Sequence, residues 1–122
     1  MEKNWIETVK EFIRKAMNKG LSISGYKQPT PWGEDKIWYN FGIDHNKIAL
    51  KFDTYDDSFT ICTPNGFYKT NYQLTKRDKL ELEALILSID EYREDMAISE
   101  FNSFFNEIDK PTDINDLDND DE

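Results

Sequence analysis

The sequence predicts an α+β fold. Its parts are an N-terminal helix, an antiparallel meander of four to five strands, a C-terminal helical segment packed on one sheet face, and a disordered acidic tail. Three observations predict it. Residues 5–17 carry one apolar stripe at helical spacing, residues 37–74 hold four runs that alternate with a period of two, and residues 76–106 return to helical spacing. The chain has 122 residues, enough for a single core, and its 17 aromatic side chains supply the anchors.

Asn4 followed by Glu7 is a capping-box variant, and Trp5, Ile6, Val9, Phe12, Ile13, Ala16 and Met17 form one stripe that ends at Gly20. This predicts a helix over residues 5–19. Residues 21–25 alternate and fit a short strand. The stretch QPTPWG, residues 28–33, is then expected to be irregular, since two prolines interrupt pairing and Gly33 permits a sharp turn.

Four strands follow, with Ile37, Tyr39, Phe41 and Ile43 on the apolar face of the first. Ile48, Leu50 and Phe52 are on that face in the second, Phe59 and Ile61 in the third, and Tyr68, Thr70, Tyr72 and Leu74 in the fourth. A turn over residues 44–47 pairs Phe41 with Leu50, and a Tyr55-Asp56 turn pairs Phe52 with Phe59. An Asn65-Gly66 turn, the strongest short hairpin signal, pairs Ile61 with Thr70. All three turns put the same apolar set on one side, as a meander with one buried face requires.

Thr75 and Asp78 cap a helical segment with two stripes. Leu82, Leu85, Ile86, Ile89, Tyr92 and Met96 form one, and Leu80, Ala84, Leu87, Ile98, Phe101, Phe105 and Ile108 form the other. Either the helix breaks near residues 96–99 or it contacts two surfaces. The second stripe is expected to be covered by the N-terminal helix or by a second copy in a homodimer. Residues 1–108 are therefore assigned to one globular domain and residues 109–122 to the tail.

The net charge of −10 is concentrated at one end. Residues 107–122 hold eight acids and one base, whereas residues 1–106 hold seventeen acids and fourteen bases. The body is only mildly acidic, which argues against a folded nucleic-acid mimic. No apolar run approaches a membrane span, and residues 1–4 open no secretory pattern, so a cytoplasmic protein is expected. Twelve Lys against three Arg, with twelve Ile and ten Asn, points to an AT-rich genome of bacterial or phage type.

Catalysis has little support. His45, the single histidine, sits in a turn, and Cys62 falls on the outward face of a strand with no histidine near it in sequence. There is no phosphate loop and no Cys/His metal spacing. Asp116, Asp118 and Asp120 imitate half a calcium loop, but Asp121 stands where glycine is required and no distal Glu follows. No cofactor and no metal are expected.

Binding surfaces remain. Trp32 and Tyr26 mark the proline loop, with Trp32 as interface anchor or as core cap. Asp90, Glu91, Glu94 and Asp95 form an acidic helix face, and Asp116, Asp118, Asp120 and Asp121 extend the charge. The expectation is a small acidic, non-catalytic protein-binding domain. It would act as an inhibitor, immunity or escort protein on a basic, nucleic-acid-handling partner. The alternative is a single-stranded nucleic-acid-binding protein whose tail competes for the sheet, where Trp38 and Phe67 face outward beside lysines.

Overall fold

The computed structural model describes residues 3–109. Its elements, in chain order, are α1 (Trp5–Asn18), β1 (Ile23–Thr30), β2 (Gly33–Ile43), β3 (Ile48–Asp53), β4 (Ser58–Thr63), β5 (Gly66–Asn71) and α2 (Lys76–Asp109). The five strands form one antiparallel meander in the order β1-β2-β3-β4-β5. The tail positions Asp116, Asp118, Asp120 and Asp121 lie outside the described residues.

Both helices begin where their caps predict. Asn4 Oδ1 accepts the Glu7 N–H at 3.2 Å, satisfying one of the orphan donors of α1. At α2 the cap is reciprocal. Thr75 Oγ1 accepts the Asp78 N–H and Asp78 Oδ2 accepts the Thr75 N–H, both at 3.0 Å. Gly20, at φ 73°, closes α1, and the Leu21 N–H donates back to Ala16 O.

α1 buries Ile6, Val9, Ile13 and Ala16, and α2 buries Leu82 and Ile89. These meet Ile23, Tyr39, Phe41, Ile43, Leu50, Phe52 and Phe59 on one side of the sheet. The side chains alternate as the sequence requires, so one sheet face is covered and the other is left open.

The β2–β3 and β3–β4 registers are those expected, with Phe41 opposite Leu50 and Phe52 opposite Phe59. The β4–β5 register differs by two residues: Ile61 pairs with Tyr68 and Phe59 with Thr70. The connection is Pro64-Asn65, with Thr63 opposite Gly66, and not Asn65-Gly66. A shift of two preserves which side chains face inward, so the apolar set survives the change.

The proline stretch is also corrected. β1 runs through Pro29 to Thr30, and Thr30 pairs with Gly33, leaving only Pro31 and Trp32 as the turn. Pro29 is tolerated because β1 is an edge strand. Its partner Ile37 sends N–H and C=O the other way, to Thr54 Oγ1 at 2.7 Å and from the Thr54 N–H at 3.0 Å. Pro29 therefore lacks a donor only on the side where no strand pairs.

α2 is unbroken through residues 96–99. Its proximal half crosses β1 at Gly25, where an added Cβ would lie 2.6 Å from Ile89 Cδ1. The Tyr92 hydroxyl donates to Leu21 O at 2.7 Å, and burial raises its pKa. α1 joins the same half through Lys10 and Glu81, 3.3 Å apart. Among the described residues no helix is long and apolar enough to cross a membrane.

Candidate binding surfaces

Beyond Tyr92 the two faces of α2 change roles. The line that met the sheet continues as Met96, Glu100, Ser103 and Glu107, which are mostly polar because the helix has left its support. The opposite face carries Leu80, Leu87, Ile98, Phe101, Phe105 and Ile108 at steps of seven, eleven, three, four and three. Ile98, Phe101, Phe105 and Ile108 are each between 45% and 59% exposed. Phe101 and Phe105 meet edge to face, with centroids 4.6 Å apart. The expectation that α1 covers this stripe is therefore corrected: α1 packs beside the proximal half, and residues 97–108 are all exposed.

Asp90, Glu91, Glu94 and Asp95 are exposed on the same helix. Glu91 and Glu94 fall on the apolar stripe itself, four residues after Leu87 and four before Ile98, so structure brings charge and apolar surface together. Trp32 and Tyr26 are not part of this surface. They lie on the open face of the sheet, Trp32 58% exposed. Trp32 stacks on Tyr55 at 4.7 Å and meets Trp38 edge-on at 5.9 Å, so it is not a core cap. Thr54, clamped to Ile37, and Asp53, whose Oδ1 accepts the Tyr55 N–H at 2.8 Å, hold the turn that presents Tyr55.

The open face reads as rows across the strands. One row is Gln28, Trp38, Asp53, Ser58 and Asn71, and the next is Tyr26, Asn40, Lys51, Thr60 and Lys69. A third row is Ser24, Gly42, Ala49, Cys62 and Phe67, whose first four members are small. Side chains stand up on both sides of those four positions, and a trough of about 540 Å³ results.

Asn46 forms part of its wall. Asp44, His45 and Asn46 all have positive φ, 57°, 57° and 63°, an unfavourable run for residues with a Cβ. The run lays the Asn46 side chain over Gly42, where its Oδ1 accepts the Ser24 hydroxyl at 3.2 Å. Any Cβ at Gly42 would collide with that oxygen. His45 is thus an exposed turn residue.

Lys51 and Arg93 line the trough, and no carboxylate does. Lys51 Nζ sits 4.8 Å from the Trp38 ring centroid. Lys69, at the end of the row, is already taken by Asp56 at 2.9 Å. Burial pushes the Asp56 carboxyl up, but hydrogen bonds from Ser58 and Lys69 outweigh it and hold the pKa below the ordinary value.

Sequence reasoning placed the outward residues correctly and missed the trough. The signal was present in its own registers, which put Gly42, Ala49 and Cys62 side by side. Among the described residues no group of three or more His, Cys, Asp or Glu side chains could hold a metal ion. Compared with protein-family models, curated proteins and solved structures, the chain has no significant match.

Proposed function

We propose that the protein is a non-catalytic binding module that engages a basic partner protein through the distal half of α2. One observation carries the reading: a helix half with no internal support shows an apolar stripe of Ile98, Phe101, Phe105 and Ile108 to solvent. Contiguous apolar surface of this kind marks an interaction site. Its borders define the occupant. Residues 94–109 hold Glu94, Asp95, Glu100, Glu107 and Asp109 and no base, so they fit an amphipathic helix with apolar anchors and basic flanks.

A second copy fits poorly. Laid antiparallel about Phe101 it would set Asp95 against Glu107, and laid parallel it would set Glu94 against Glu94. Basic amphipathic segments are common in nucleic-acid-handling proteins, and inhibition or escort of such a protein is the role this surface suits.

The test is capture from native extracts by the immobilised chain and by a Phe101→Ser, Phe105→Ser double variant, each with and without nuclease. A basic protein held by the native chain, indifferent to nuclease and lost with the double variant, is the expected result. Retention that disappears with nuclease favours a nucleic-acid strand instead. Retention that survives the double variant rejects the α2 surface.

A further inference from the structure

The trough on the open sheet face is separate from α2's apolar stripe and has its own chemistry. In a chain of net charge −10, it is lined by Lys51 and Arg93 and by no acid. Neither cation makes an ion pair with a described residue, although Asp90 and Glu94 stand on the same helix as Arg93. The Ser24 hydroxyl donates to Asn46 Oδ1, whereas Asn40 and Thr60, flanking Lys51 in its row, are left with side-chain hydrogen-bonding capacity.

The floor is apolar and narrow: Gly42, Ala49 and Cys62 on adjacent strands, with Ser24 beyond, about 14 Å end to end at the ordinary strand spacing. Its volume of about 540 Å³ is that of a small-molecule site. The left-handed run at Asp44, His45 and Asn46 makes the β2–β3 turn and in doing so lays the Asn46 side chain along the trough as its wall.

We infer that the trough binds a small molecule bearing a phosphate or carboxylate, its anionic end between Lys51 and Arg93 and its body over Gly42, Ala49 and Cys62. Asn40 and Thr60 hydrogen-bond the polar atoms nearest the anion. An anion here gains both charges without displacing a resident carboxylate, and the small row admits the body without moving the sheet.

Cys62, the single cysteine, reports on the site because it lies in the floor and is exposed. The full chain is reacted with an anionic aromatic disulfide and with a neutral one, in inorganic phosphate or citrate at ionic strength held constant with sodium chloride. The anionic reagent should be favoured by about ten-fold, and Lys51→Ala or Arg93→Ala should abolish that preference. Phosphate or citrate should protect Cys62 saturably, and whichever protects identifies the anionic group. Ala49→Leu keeps both cations and fills the floor over which the body lies, so it should abolish the preference for the anionic aromatic reagent, whose ring needs that floor. Thermal unfolding of each variant confirms that it is folded. The inference is overturned if neither anion protects saturably, if protection persists in the cation variants, if Ala49→Leu keeps the preference for the anionic reagent, or if only a single-stranded oligonucleotide protects.

Discussion

Phe52→Ala is expected to lower the free energy of unfolding by about 3–5 kcal/mol. Phe52 is in the central strand of five and is fully buried. On the covered face it stands between Tyr39 and Phe59, its partners in the two neighbouring strands. Its ring lies 4.5 Å from Phe59 and 5.8 Å from Tyr72. Truncation removes contacts on several sides at once, and two hydrogen-bonded strand neighbours cannot move in to close the gap. Domains are stable by only about 5–15 kcal/mol, so the loss is a large share of the total. Urea denaturation followed by tryptophan fluorescence measures the loss, since Trp5 stacks on Phe59 at 4.9 Å. A loss below about 1 kcal/mol, the scale of surface changes, would remove Phe52 from the core.

The same kind of substitution should have opposite consequences along α2. Leu82→Ala and Ile89→Ala should each cost about 2–5 kcal/mol, because both side chains are fully buried. Phe101→Ala and Phe105→Ala should stay within about 0.5 kcal/mol, because both rings are exposed and alanine is the better helix former. Denaturation midpoints of the four variants make the comparison. If Phe101→Ala destabilises the isolated chain as Leu82→Ala does, the distal stripe is covered within the protein and the proposed docking surface is lost.

The outcome at each element shows what the sequence could carry. The central strands were legible because their turn residues and their apolar alternation pointed to one register, which the pairings of Phe41 with Leu50 and Phe52 with Phe59 match. The β4–β5 register was not, because Asn65-Gly66 and Pro64-Asn65 both preserve that parity, and a choice between them needs backbone geometry. β1 was truncated in the reading because prolines break central strands. Only the sheet order shows that Pro29 is at an edge. The second stripe on α2 was legible as a stripe, but the inference that α1 covers it was not met, since its residues are exposed. Where α2 leaves the sheet, which decides whether α1 can reach it, is a tertiary fact. Trp32 escaped for a similar reason: Tyr55, on which it stacks, comes from a turn 23 residues further along the chain.

Residues 94–109 of α2 have another consequence, concerning cooperativity. Isolated helices of this length are marginal in water, so this half is held mainly by continuity with the packed half before it. Its helix–coil balance is then coupled to whatever docks on it. A partner that needs the helix binds with its intrinsic affinity multiplied by the fraction that is helical. Ser99 and Ser103 lie off the apolar stripe, yet Ser99→Ala with Ser103→Ala should tighten binding about two- to five-fold by raising that fraction. Calorimetric titration against a captured partner would measure it, with no gain in affinity counting against the coupling. The strength of the interaction is in this way adjustable from side chains that never touch the partner.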